Sequence, residues 1–277
     1  MLDEAGYRPQ DWDRQTRGQV TMLEAIVQSW NIPAVWLLHE MGIDTGMGFA
    51  RKLGIPLAEQ EDRNLGLALG GLATGVSPLD MAQAYSAFAN QGVMHAAHAI
   101  TKITTRDGHV LVEAAPASSQ VMSPATASTM TLMLQQAVAR GTGRLAALER
   151  PAAGKTGTTE LPATEEFAAA VPTSAKDAWL VGYTPDLTAA IWVGYDRTDK
   201  DHYLNTAGGS VPAKLFREIM TRSLQGVPVA DFVLSAPVQA QVSAQDPNPV
   251  QSDQTNKKQS GKSDQGGGHN GKSKKWW

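Results

Sequence analysis

Two short runs carry residue types that bind anions and move protons. One is Gly154-Lys155-Thr156-Gly157-Thr158-Thr159, a lysine set among hydroxyls and glycines; the other, far earlier in the chain, is Ser29-Trp30-Asn31. Gly154-Lys155-Thr156 is also how a phosphate-binding loop ends, so phosphoryl chemistry is the first to test. That loop needs a glycine five positions before Gly154, where Glu149 stands, and it must run on into a helix. Here Thr158-Thr159 leads into Glu160-Leu161-Pro162 with no helical pattern, and the phosphate-loop reading fails on both counts. Taken alone, the first run also fits a surface lysine at a strand end, and a lone Ser-x-Asn fits a helix cap or turn.

The nucleophiles available to partner these runs are limited. With no cysteine in 277 residues, disulfides, thiolate metal sites and a Cys nucleophile are excluded. No serine has a lysine three residues later, the spacing that puts a base one helical turn from a nucleophile. Thr173-Ser174-Ala175-Lys176 and Thr255-Asn256-Lys257-Lys258 place a threonine at that offset, but in a loop before a strand and in a polar tail.

Local signals place the runs on elements. Residues 1–20 read as an ordered loop. Thr21-Met22-Leu23-Glu24 reads as a capping box opening a helix, which the Ser29–Pro33 turn ends because Pro33 biases Ile32 away from the helical region. Helices are expected over about 34–40 and 47–53. Leu65–Gly71 is a small-residue run for close packing. Ser77-Pro78 starts a helix to about Asn90, with Met81, Ala84, Tyr85 and Phe88 as its core stripe, and Ser123-Pro124 starts another to about Arg140. Asp107-Gly108 marks a hairpin between residues 100–105 and 109–113. Strands are expected over 151–159, 178–184 and 187–195, the last two joined at Pro185-Asp186, and a final helix over 213–224. The 160–176 segment is long for a strand connection and reads as a flap or, more simply, a tolerated surface insertion.

The whole constellation resembles the penicillin-binding transpeptidases. The likeness extends beyond the two motifs to Ile32-Pro33-Ala34-Val35, to Gly75-Val76-Ser77-Pro78-Leu79-Asp80-Met81-Ala82 with Tyr85 and Ala89-Asn90-Gln91-Gly92, and to Asp177–Pro185. It covers about residues 7–225 and is greatest for the bifunctional, wall-building class. Ser-x-x-Lys, Ser-x-Asn and Lys-Thr-Gly elements together define that chemistry. The resemblance implies an α/β fold: an antiparallel sheet flanked by helices, with a largely helical lobe. It also implies serine acyl transfer from D-Ala-D-Ala stem peptides. Ser29 would relay protons, Asn31 would hold the substrate backbone, and Lys155 would supply positive charge beside Ser29. Thr156 and Thr158 would bind the substrate carboxylate, Gly157 would let the strand approach the ligand, and the Thr158 amide would serve an oxyanion hole. The nucleophile's helix would precede Met1, so this chain is expected to be N-terminally truncated and inactive alone, with an apolar face and an unpaired strand edge exposed. Two rivals are a non-catalytic substrate- or β-lactam-binding scaffold and, less favoured, a D,D-carboxypeptidase or β-lactamase-type hydrolase.

The resemblance calls for stem peptides and β-lactams as ligands, no cofactor or metal, no nucleic acid, and a place at the extracytoplasmic face of the cell membrane. No apolar run approaches the roughly 20 residues of a membrane span, so membrane attachment would come from sequence upstream. Net charge is −3, but residues 235–277 carry +3 and the rest −6. Residues 1–234 are read as a partial transpeptidase domain and 235–277 as a disordered Gly/Ser/Gln/Lys-rich tail. Its end, Lys274-Lys275-Trp276-Trp277, reads either as a contact for anionic wall polymer or lipid or, more simply, as a solvated tail without a role.

Overall fold

In a computed structural model, residues 7–171 and 173–239 are described. A three-stranded antiparallel sheet, β5 (Ala153–Glu160), β6 (Ala175–Tyr183) and β7 (Thr188–Gly194), is ordered β5-β6-β7 and carries the Lys155 run on its first edge. Lys155 lies opposite Val181, and Gly157 lies opposite Trp179. Alternation along β6 sends Leu180 to one face and Tyr183 to the other. On the Leu180 face, α6 (Val211–Ser223) buries Ala213, Phe216 and Met220. On the Tyr183 face, α4 (Pro78–Ala89) and α5 (Pro124–Arg140) supply Tyr85, Phe88 and Leu134. There the Tyr183 hydroxyl meets that of Thr131 at 2.9 Å.

The helical lobe comprises α1 (Met22–Gln28), α2 (Asn31–Met41), α3 (Ile43–Lys52) and a 3-10 turn at Leu65–Leu69. Val35, Leu38 and Leu65 form its core. Buried Asp62 holds the 58–73 loop by accepting from the Ala58 and Ala73 amides, both at 2.7 Å. Two small antiparallel pairs lie apart from the main sheet: β1 (Val93–His95) with β4 (Ser118–Gln120), and β2 (Lys102–Thr104) with β3 (Val110–Glu113). The α/β architecture implied by the resemblance is the one observed.

Several local expectations need correction. Glu24 does not close the capping box. Thr21 caps the Glu24 amide, but the Glu24 carboxylate pairs with Arg140 of α5. The second helix starts at Asn31, not Ala34. Pro33 lies in its first turn, where a missing N–H costs nothing, so Ile32 is helical. The third helix also starts earlier, at Ile43. The 161–174 connection packs on the 199–203 turn, with Phe167 edge-on to Tyr203 at 6.2 Å and the Lys200 amide donating to Glu166. Residues 235–239 are not a free tail. Val238 is buried in a helical turn, and the Ser235 amide donates to Ser128 of α5 at 2.9 Å. Residues 240–277, including Lys274–Trp277, lie outside the described residues.

Candidate active site

Ser29 owes its position to the way α1 ends. Its backbone is left-handed, φ 56° and ψ 46°, with its own amide bonded to Ile26 O and the Trp30 amide bonded to Ala25 O. These two bonds make a Schellman cap, whose left-handed residue is usually glycine. A serine there costs roughly 1–2 kcal/mol of backbone strain. Glycine would relieve that strain but would bring no hydroxyl. Asn31 begins α2 directly afterwards, and its side-chain amide donates to Gln10 O at 2.8 Å, leaving the amide oxygen as an acceptor.

Lys155 comes to the same point from β5. Its ammonium donates to Ser29 Oγ at 2.6 Å and to Thr156 O at 2.9 Å. Burial lowers its pKa from 10.5 to about 8, and among the described residues no carboxylate pairs with it to oppose that shift. The α1 end and β5 are further bridged by Thr142. Its amide donates to Val27 O at 3.2 Å, and its hydroxyl lies 2.7 Å from the Thr156 hydroxyl. Thr158 Oγ1 accepts from the Gly208 amide at 3.1 Å, so its own proton remains free to donate. A Cβ on Gly157 would sit 3.2 Å from Trp179 Cβ, and one on Gly208 would sit 2.3 Å from Gly157 O. Two backbones therefore cross at Gly157 with no room for a side chain.

Ser29 and Lys155 thus meet where α1 ends beside β5, with Asn31 two residues on at the start of α2 and Thr156, Gly157 and Thr158 continuing along β5. The arrangement can hold an anion, through an unpaired cation and neighbouring hydroxyls, and can pass a proton between Ser29 and Lys155. Among the described residues there is no cluster of three His, Cys, Asp or Glu side chains able to hold a metal. An open groove of about 610 Å³ runs along α5 and contains none of the six site residues.

Other residues at the site were not foreseen. Asp11, Trp12 and Arg17 grip the Ser29 turn from the N-terminal loop, and Thr142 and Gly208 brace β5. The Gly208-Gly209 pair does signal a close backbone approach. Asp11 carries no comparable signal, because an aspartate in a polar loop looks like any solvated charge.

Comparison with known proteins identifies the family. Residues 3–221 match the penicillin-binding protein transpeptidase domain. Penicillin-binding protein 1F of Bacillus subtilis is 42% identical over 217 residues, which is 78% of this chain and 29% of that protein. Penicillin-binding protein 2a of Streptococcus pneumoniae is 36% identical over 222 residues, 79% of this chain and 29% of that protein. Among solved structures, the penicillin-binding protein PonA1 from Mycobacterium tuberculosis aligns with a TM-score of 0.69 and 26% identity, over 84% of this chain and 63% of that one. PonA1 in complex with penicillin V aligns with a TM-score of 0.67. The chain belongs to the penicillin-binding transpeptidase family, of the class A type. It spans under a third of the length of these two curated relatives.

Proposed function

We propose that this chain supplies the substrate-holding part of a D,D-transpeptidase site that cross-links peptidoglycan at the outer face of the bacterial membrane. The observation that carries the reading is the Lys155–Ser29 contact at 2.6 Å, made by a cation with no carboxylate partner among the described residues. A stem peptide ending in D-Ala-D-Ala presents a terminal carboxylate one residue beyond the bond to be broken, and a penicillin presents a carboxylate beside its lactam. In either case Lys155 and the Thr158 hydroxyl bind the carboxylate by charge-assisted bonds. The Asn31 amide oxygen accepts a substrate backbone N–H. Ser29, held by Lys155, takes the proton that the attacking serine gives up and passes it to the leaving amine. The Thr158 amide stabilises the developing oxyanion. The attacking serine is not provided by a Ser-x-x-Lys pair in this chain, so the isolated chain binds ligand without being acylated.

Fluorescent penicillin tests this with the full chain. The expected result is saturable, reversible binding that survives neither denaturation nor the Lys155→Met substitution, the latter weakening it about 10- to 100-fold, as loss of a charged hydrogen bond does. No binding would overturn the reading. A label that survives denaturation would show that the chain holds its own nucleophile and would overturn the second half of it.

A further inference from the structure

The residues N-terminal to α1 form a strap that touches the Ser29 turn at four places and leaves one free. Trp12 Nε1 donates to Gln28 O at 3.0 Å. The Arg17 guanidinium lies 4.1 Å from the centre of the Trp30 ring. Gln10 O accepts from the Asn31 side chain at 2.8 Å. Asp11 Oδ1 accepts from the Ile32 amide at 2.9 Å. Of the five residues Gln28 to Ile32, Ser29 is the one these contacts skip, and its hydroxyl meets Lys155 instead.

Asp11 joins these contacts into one unit. It is 3% exposed, and its second oxygen accepts from Arg17 at 3.2 Å. Arg17 also pairs with Asp13, which fixes the guanidinium plane over Trp30. The Asp11 carboxylate therefore does two things. It satisfies a first-turn amide of α2, which has no side-chain cap of its own at Trp30, and it anchors the cation that clamps Trp30. The segment between Gln28 and Ile32 is consequently held at both ends while Ser29 within it sits in a strained left-handed conformation. Strain of that kind persists only when the surroundings over-determine it.

We infer that Asp11 is a positioning residue. Through the Ile32 amide and the Arg17–Trp30 stack it holds Ser29 left-handed and pointed at Lys155, without touching substrate itself. The consequence for ligand binding rests on the transpeptidase reading above; the consequence for Lys155 does not. If the strap lets go, the Ser29 turn relaxes away and water reaches the Lys155 ammonium, so its titration moves from about 8 back toward 10.5.

The test follows the Lys155 amine by NMR in the full chain carrying ¹³C-methylated lysines, with its signal identified by its loss in Lys155→Met. Asp11→Ala and Arg17→Met are each expected to raise the Lys155 midpoint by a unit or more and to weaken fluorescent penicillin binding at least about tenfold. Asp11→Asn keeps an oxygen for the Ile32 amide and is expected to titrate close to the unsubstituted chain. Asp62→Ala removes another buried carboxylate, one that holds the 58–73 loop and bonds to no residue of the strap or the Ser29 turn, and is expected to lower stability without moving Lys155. The inference is overturned if folded Arg17→Met or Asp11→Ala leaves the Lys155 midpoint where it was, or if Asp62→Ala shifts it equally. Arg17 is partly exposed, so its variant keeps the test open should Asp11→Ala not fold. If the unsubstituted chain binds no penicillin while the strap variants still shift Lys155, the strap stands and the transpeptidase reading falls.

Discussion

The Lys155 ammonium reaches the Ser29 hydroxyl at 2.6 Å across 126 positions of sequence, and it does so from a half-buried strand edge with no counter-charge among the described residues. A lysine held this way serves a ligand at the expense of the free fold. Its charge is desolvated in the native state, and relief comes from an incoming anion or from loss of its proton.

That cost has a definite pH signature. The folded pKa of about 8 lies below the ordinary 10.5, so between these values the unfolded chain binds more protons than the folded one. Stability contributed by this group therefore rises as pH increases from about 8 to 10.5 and is at its lowest below 8. Lys155→Met removes the charge and keeps the stem. Urea unfolding at pH 7 is expected to find the variant at least as stable as the unsubstituted chain, with the difference shrinking by pH 10. A difference independent of pH would mean that the ammonium is not desolvated.

The left-handed serine separates backbone from side-chain demands. Ser29→Ala keeps the strain and loses the hydroxyl, whereas Ser29→Gly loses both. Gly is therefore expected to be more stable than Ala by about 1 kcal/mol, while both lower penicillin affinity to a similar extent. Denaturation midpoints and fluorescence binding curves measured side by side check it. An alanine variant as stable as the glycine one would mean that the turn is not strained.

Much of this fold was legible because its signals are local. Ser77-Pro78 and Ser123-Pro124 start α4 and α5 where expected, since each cap and its acceptors lie within one turn. Asp107-Gly108 gives the β2–β3 hairpin for the same reason. The Lys155 run and Ser29-Trp30-Asn31 were legible as types and spacings, but their meeting was not. It depends on α5 and Thr142 carrying the α1 end to β5. Where a local signal failed, a distant partner had taken its place. The Asp11 carboxylate serves an α2 amide, so the helix begins three residues early. Arg140 draws Glu24 out of its capping box from 116 residues away.

The Tyr183–Thr131 bond ties the sheet to α5 directly behind the site. Tyr183 is fully buried, and burial raises its hydroxyl pKa well above the ordinary 10, so it stays protonated and hydrogen-bonded. Tyr183→Phe leaves the Thr131 hydroxyl only a long contact to Phe88 O. Its expected cost is about 1–2 kcal/mol, with penicillin affinity nearly unchanged, because no ligand-facing group moves. A large loss of affinity at full stability would show that α5 transmits to Lys155.

Gly208 is the reverse case, where a distant backbone shapes the ligand edge. A Cβ there would fall 2.2 Å from Trp179 O, 2.3 Å from Gly157 O and 3.0 Å from Gly157 N. All three are backbone atoms of paired strands, so nothing can rotate away, and the 205–210 segment must lift off β5. Lifting it breaks the Gly208–Thr158 bond, and the Thr158 hydroxyl is then free to turn from the ligand edge. Gly208→Ala is expected to cost about 1–3 kcal/mol, the usual price of overpacking, and to weaken penicillin binding several-fold more than Tyr183→Phe does. Gly70→Ala makes a useful comparison. Its φ is positive, as that of Gly208 is not, and no atom lies within 4 Å of its added Cβ, so it should cost strain alone and leave binding intact. If Gly208→Ala bound penicillin as tightly as the unsubstituted chain, the crossing at Gly157 would be packing only and Thr158 would not depend on it.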